Sequence, residues 1–377
     1  MSKLQWNKLV GQDRIKNVLG SAFDNGSLGH AYLFSGERGT GKFACALELA
    51  MALLCENEEA KPCGTCPSCK KISNYSHPDF HVLMPVVLGK EHKTRDGKLS
   101  PEGWNYVSSR AARRIKSPYM LEDFSGTPHI PVEWIKEVNH AIVRGSVESG
   151  RNVAILDGVD FMNKESANAM LKTLEEPPGG TVMILLTSRL HSVLQTIVSR
   201  CQILRFAFLS PEIIRSELSS RFEVDPSDTR VESAIHCGSL GEAFAIFENP
   251  PDESYQMASQ FWNHCVKGEW ESVVEDMDRF GDAADQASGE KTLNCLLQLL
   301  RFAFLAKFPG SENYFKSDMP YRIELPGTVT PEQMEQFIRL CQEGLAALKA
   351  RGNSQLVLVN FACSLMEIYD GKKQQAC

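Results

Sequence analysis

The chain has 377 residues, 43% of them hydrophobic, and a formal net charge of −7. That length suggests two or three domains, and the acidic balance argues against wholesale nonspecific binding to DNA while leaving room for a local basic surface. No apolar run approaches the roughly 18 residues of a membrane span, and the N-terminal MSKLQWNKLVGQD lacks an apolar signal region, so a cytoplasmic protein is expected.

In chain order, AYLFS (31–35) is a short apolar run ending in the glycine loop SGERGTGK (35–42), and KFACALELAMALLC (42–55) follows with helical spacing. This is the strand–loop–helix context of a phosphate-binding loop, G-x-x-x-x-G-K-[ST]. Gly36, Gly41 and Lys42 keep their places, with Gly39 between them, but Phe43 stands where the Mg²⁺-ligating Ser or Thr belongs. The loop can still present backbone N–H groups to a phosphate without metal, although an empty loop is the expectation. Phe43, if it faces inward, would fill the volume where hydroxyl and metal would meet.

Cys55, Cys63, Cys66 and Cys69 follow as C-x₇-C-x₂-C-x₂-C. Four thiolates at such spacing suit tetrahedral Zn²⁺, and a closed four-sulfur shell makes the metal structural; four free thiols are the alternative. The other eight of the twelve cysteines are scattered and read as small buried apolar residues.

Buried-type strands are expected at DFHVLMP (79–85), NVAILD (152–157), VMILLTS (182–188) and QILRF (202–206), with helices such as 132–145 and 163–176 between them. Strands alternating with helices predict a doubly wound α/β domain over 1–208. Asp157 ends a Walker B-like strand, but Gly158 occupies the place of the catalytic Glu, and Asp160 is an imperfect substitute. The segment 86–127 is basic, with eight Lys/Arg against three Asp/Glu over 90–116. Ser100-Pro101-Glu102 starts a helix there, on which Arg110, Arg113 and Arg114 are expected to share a face. A solvated helix is the expected reading; contact with DNA phosphates or an acidic partner is the alternative. Beyond 208 the pattern is helical at 210–222, 231–248, 292–308, 331–350 and 354–369, with ENPPDES (248–254) as linker. Three domains are expected: 1–208, 209–250 and 251–377.

HAYLFSGERGTGK (30–42), the four-cysteine module, ANAMLKTLEEPP (167–178), LLTS (185–188), TIVSRCQ (196–202) and the opening LVGQD (9–13) together resemble bacterial clamp-loader AAA+ subunits over residues 5–208. The resemblance implies an AAA+ RecA-like parallel sheet with a P-loop, a small helical lid and an all-α collar that oligomerises. Subunits of the gamma/tau kind are ATPases with a full Walker A, a Walker B Glu and a lid Arg in GS-x-R-D-A; the delta-prime kind often lacks them. Here GSLGEA (238–243) puts Gly241 at the Arg position. With Phe43 and Gly158, this resembles the delta-prime kind. The implied role is a non-hydrolysing scaffold in a hetero-pentamer with gamma/tau and delta, acting with the sliding clamp on primed DNA. The assembly belongs to the DNA polymerase III holoenzyme, a DNA-directed nucleotidyltransferase; no ATPase activity of the chain's own is expected.

The same resemblance makes Arg200 of the SRC motif an arginine finger for a neighbouring subunit's ATP, seated by Ser199 and Cys201, with a structural ion pair as the alternative. It assigns Gly36, Gly39, Gly41, Lys42, Asp157 and Thr187 to a degenerate nucleotide site, not expected to hydrolyse, with Thr187 at the sensor-1 position and a structural role expected for it. TLEEPP (173–178) is read as the end of a helix at an intersubunit face. Relative to the family, 86–127 is an insertion of about forty residues. An active gamma/tau-type ATPase with a variant P-loop, and a free-standing zinc-bearing DNA-binding module, are the competing readings.

Overall fold

In the computed structural model of the chain the described residues are 3–96, 98–122, 124, 126–248, 253–279, 286–305, 323–325, 329–349 and 353–370. They form two compact units, Met1–Val224 with Gly238–Ala245, and Asp225–Cys237 with Ile246–Cys377.

The first unit is built on α1 (Asp13–Asp24), β1 (Ala31–Ser35), α2 (Lys42–Leu54), α3 (Pro67–Ser73), β2 (Phe80–Leu83), α4 (Pro101–Lys116), α5 (Val132–Arg144), β3 (Asn152–Leu156), α6 (Lys164–Glu175), β4 (Thr181–Thr187), α7 (Gln195–Val198), β5 (Gln202–Arg205) and α8 (Pro211–Phe222). The five strands are all parallel, in the order β2-β3-β4-β1-β5, with Ala31 opposite Met183 and Tyr32 opposite Gln202. β3 and β4 are buried along their whole length, as continuous apolar runs covered on both faces should be, whereas the edge strand β5 is largely exposed. This is the AAA+ RecA-like α/β fold.

Helix starts follow the sequence signals. Ser100, Asn163 and Ser210 each cap a helix by accepting a backbone N–H from the residue three on, and Pro101 and Pro211 occupy first-turn positions where no donor is lost. α2 buries twelve of its thirteen residues, so it is a core helix rather than a surface one. Its Glu48 carboxylate accepts the N–H groups of Asn7 (2.6 Å), Lys8 (2.7 Å) and Leu9 (2.9 Å), which ties the N-terminal arm to the P-loop helix. Burial raises the Glu48 pKa, and the three N–H bonds pull the other way.

Just before β2, Asp79 organises the loop after α5. Its carboxylate accepts from the N–H groups of Val147 (2.6 Å), Glu148 (2.9 Å) and Ser149 (2.9 Å), and from the hydroxyls of Ser146 and Ser149. Burial alone would raise its pKa, but these donors outweigh it and hold the carboxyl well below the usual range. With the folded value below the unfolded one, the unfolded chain binds the extra proton. The contribution is therefore complete above about pH 4 and is lost as pH falls further. Asp79→Asn is expected to remove roughly 2–3 kcal/mol of stability at neutral pH and progressively less as pH is lowered below about 4 toward the folded carboxyl's own pKa, checked by denaturant unfolding across that range.

The second unit contains α9 (Thr229–Ala234), the end of α10 (Leu240–Glu248), α11 (Glu253–Lys267), α12 (Trp270–Arg279), α13 (Gln286–Leu305), α14 (Pro331–Lys349) and α15 (Ser354–Asp370). Its core is a contiguous cluster that includes Phe261, Trp262, Leu296, Leu300, Phe337 and Leu365. Trp262 is fully buried with its indole N–H on the Glu324 carbonyl at 2.8 Å, so its one polar atom is satisfied. Of the scattered cysteines, Cys45, Cys237, Cys265, Cys295 and Cys341 are buried as expected, and Cys201 and Cys363 are half-buried. Cys377 and most of the linker expected at 248–254 lie outside the described residues.

Candidate functional site

The sheet order puts the carboxyl ends of β3, β4 and β1 side by side, where open α/β sheets bind ligands. Lys42 and Gly41 follow β1, Asp157 follows β3 and Thr187 ends β4. These residues and Gly39 line one cavity of about 420 Å³. The structure thus gathers the sequence-assigned nucleotide residues in one place, with Gly36 adjoining through its carbonyl.

The protein's own groups fill their surroundings. Lys42 Nζ turns back on its own loop and donates to the carbonyls of Gly36 and Glu37, both at 2.7 Å. Burial pushes the Lys42 amine down to about 8, against the raising influence of Asp157. Phe43 does face inward and is 1% exposed. Arg114, from α4 of the insertion, lies over its ring at 4.4 Å. The same guanidinium donates from Nε to Asp157 Oδ2 at 2.9 Å and from Nη1 to the carbonyls of Pro118 (3.0 Å) and Met120 (2.7 Å).

The insertion arginines therefore do not form one exposed face. Positions i and i+4 stack on a helix, so Arg110 and Arg114 turn inward together, Arg110 pairing with Glu122, while Arg113 points to solvent. Gly103, Val107, Ala111 and Ile115 form the buried stripe that fixes α4 in this orientation.

At Gly158 and Gly241 a side chain would run into neighbouring atoms. Gly158 sits at φ 68°, and a Cβ there would come within 2.8 Å of Pro85 Cγ. Gly241 donates its N–H to the Gly39 carbonyl at 3.2 Å, and a Cβ would lie 2.6 Å from the Tyr119 carbonyl oxygen and 2.8 Å from Gly39 Cα. Glutamate at 158 thus meets both left-handed backbone and a proline ring. Gly158→Glu is expected to destabilise the protein by about 2–4 kcal/mol and to bring no ATP turnover, measured by thermal melting and phosphate release.

Asp160 does not replace the missing carboxylate. It is buried, accepting from the Thr187 hydroxyl (2.8 Å) and from Arg189 Nε (2.9 Å). Arg200 lies away from the cavity, beyond α7. It pairs with Glu175 of TLEEPP at 2.6 Å and donates to the Thr196 carbonyl (2.8 Å) and the Ser199 hydroxyl (3.4 Å), with about a third of its side chain exposed. Cys201 beneath it packs against the core, and burial pushes its thiol up to about 11.

The four clustered cysteines meet at the end of α2. Their Sγ atoms all lie within 4.8 Å of one another, a set that could hold a metal ion. Backbone N–H groups of Cys63, Cys66 and Cys69 point at the sulfurs of Cys55, Cys63 and Cys66. Donation from the Cys66 and Thr65 N–H groups lowers the Cys63 thiol to about 6, whereas burial raises the thiols of Cys55 and Cys69, so of these three only Cys63 is held toward thiolate, the form that binds metal.

Sequence reasoning found the loop, Asp157, Thr187 and the cysteines. It missed Arg114, Tyr119 and Arg189 as site residues. The available signal was a pairing: a ring in place of the metal-binding hydroxyl, and a basic helix inserted nearby.

Fold and site together define an AAA+ α/β domain with a P-loop, in which Phe43 follows Lys42 and Gly158 follows Asp157 at the cavity. Residues 11–210 match the family model described as DNA polymerase III, delta subunit, and the chain belongs to that family. It is 31% identical over 238 residues to DNA polymerase III subunit delta' of Bacillus subtilis, covering 63% of this chain and 60% of that protein. It is 29% identical over 244 residues to DNA polymerase III subunit tau of Salmonella typhimurium, covering 63% of this chain and 32% of that protein. The match to these relatives thus spans less than two thirds of their lengths. Among solved structures, a DNA polymerase III gamma-subunit-related protein of Thermotoga maritima aligns with 95% of this chain and 99% of its own at 14% identity and a TM-score of 0.45. Among the described residues no helix is long and apolar enough to cross a membrane.

Proposed function

We propose that the chain is a delta-prime-like, non-hydrolysing subunit of a replicative clamp loader. It supplies Arg200 in trans to the ATP of a neighbouring gamma/tau subunit while the sliding clamp is placed on primed DNA. The observation that carries this reading is the contrast between its two arginine sites. Asp157, the residue that would hold the metal's water shell, is bonded to Arg114, whereas Arg200 stays partly exposed in the SRC motif. Likeness to both delta' and tau proteins supports membership in such an assembly. We assign 209–250 as a helical lid, 251–377 as the collar that joins gamma/tau and delta in a hetero-pentamer, and Zn²⁺ to the four cysteines as a structural ion.

An active gamma/tau-type ATPase would need a metal hydroxyl, a catalytic carboxylate and a lid arginine, and Phe43, Gly158 and Gly241 stand in their places. The isolated chain is expected to release no phosphate from ATP above background, yet to co-elute with gamma/tau and delta in size-exclusion chromatography. Phosphate release that disappears in Lys42→Ala would instead favour the ATPase reading. Failure to co-elute would refute the clamp-loader assignment.

A further inference from the structure

Two of the three positions that depart from an ATPase site, Phe43 and Gly241, share one neighbour, which also reaches Asp157 beside the third. Segment Arg114–Glu122 of the insertion reaches the P-loop through Arg114 on Phe43 and through the Glu122 carbonyl, which accepts from Arg38. It reaches the end of β3 through Arg114 on Asp157. Tyr119 joins it to the N-terminal arm: its hydroxyl donates to the Lys8 carbonyl (3.1 Å) and accepts the Val10 N–H (3.0 Å). Tyr119 and Leu121 also close over Gly241, and Tyr119 meets Phe244 edge-on at 6.0 Å. P-loop, Walker B strand, N-terminal arm and the 238–245 stretch all belong to one compact unit, and this one peptide touches each of them.

We propose that the insertion is a built-in occupant of the nucleotide site, with Arg114 standing where a metal–nucleotide complex would bring positive charge to Asp157. Phe43 and Arg114 are then a matched pair. The ring removes the hydroxyl that Mg²⁺ requires and offers a π-face to a guanidinium, which Asp157 and two carbonyls hold in plane. A hydrated divalent cation has no place in that arrangement: its carboxylate is already neutralised and its hydroxyl ligand is gone. The cavity that remains also gives little net attraction to a polyanion. Arg38, Lys42, Arg114 and Arg189 line it, but so do Glu37, Glu122 and Asp157, and Arg114 and Arg189 are committed to carboxylates. The insertion thereby holds the site in one shape without ligand, and Arg114 is its positioning residue. None of this depends on which subunits the chain assembles with.

The test uses the full chain and mant-ATP with magnesium, read by fluorescence titration. Wild type is expected to show no saturable binding in the micromolar range. Phe43→Thr alone restores the hydroxyl but leaves Arg114 on Asp157, and is expected to stay as weak. Phe43→Thr combined with Arg114→Gln, which keeps a donor near Asp157 without the charge, is expected to bind at least about tenfold tighter than wild type, with the gain abolished by EDTA. Circular dichroism confirms folding, and Phe43→Thr with Arg114→Met serves as a second double variant if the first is unfolded. Equal affinity of Phe43→Thr and the folded double variant, tight Mg²⁺-dependent binding by wild type, or no gain in either double variant would each overturn the proposal.

Discussion

With Zn²⁺ proposed for the four-cysteine module, stripping it is expected to collapse residues 55–69 and to loosen the end of the P-loop helix. Cys55 is the C-cap of α2, the Ser68 hydroxyl donates to the Leu54 carbonyl at 2.6 Å, and Cys69 is fully buried. The module is short and holds few apolar side chains, so with the proposed Zn²⁺ bound its order would come from ligand bonds rather than a core of its own. Structural Zn²⁺ in finger peptides contributes about 10–16 kcal/mol of apparent binding energy; here part of that offsets the cost of bringing four thiolates together. Zinc analysis of the purified chain should give one ion per chain. Cys66→Ser with Cys69→Ser should give none, and should melt at a markedly lower temperature. A zinc-free native chain whose melting ignores a strong chelator would contradict the assignment. The N-terminal arm should feel the loss as well, because Lys3 and Gln5 are hydrogen-bonded to Lys61 within the module.

The sheet was legible because its strands are continuous apolar runs with little alternation. The strands read at 31–35, 152–157 and 182–188 fall within one residue of β1, β3 and β4 at each end. The Ser100-Pro101-Glu102 start made α4 equally clear. The orientation of α4 was not legible. Eight basic residues near one helix suggest a solvated or phosphate-facing surface, and nothing local says that Arg110 and Arg114 point inward. That outcome is fixed by contacts more than forty positions away in the chain, such as Arg114 with Asp157 and with Phe43. Likewise Gly158 and Gly241 read only as absent side chains. The left-handed backbone of Gly158 and the close packing around both glycines show that a side chain would not fit. Asp160 read as an imperfect substitute for the Walker B carboxylate; in the structure it is bonded to Thr187 and Arg189.

Arg200→Ala is expected to slow hydrolysis at the neighbouring subunit's site by about 10³-fold or more, the range in which trans arginine fingers act. The group is suited to release. Its partner Glu175 is half-exposed, and an exposed ion pair contributes only about 0–1 kcal/mol, so an arriving phosphate can take the guanidinium at little cost. The alternative is a purely structural ion pair. It predicts a small loss of stability in Arg200→Ala, of the same size in Glu175→Ala, and no change in turnover. The two variants therefore separate the roles: Glu175→Ala should leave hydrolysis nearly intact and Arg200→Ala should not. The decisive measurement is single-turnover ATP hydrolysis by loaders assembled from gamma/tau, delta and either wild-type or Arg200→Ala chain, with clamp and primed DNA present. Loss of the fast phase belonging to one site, with wild-type assembly retained, is the result expected; identical traces for the two loaders would contradict a chain that serves another subunit's ATP and hydrolyses none of its own.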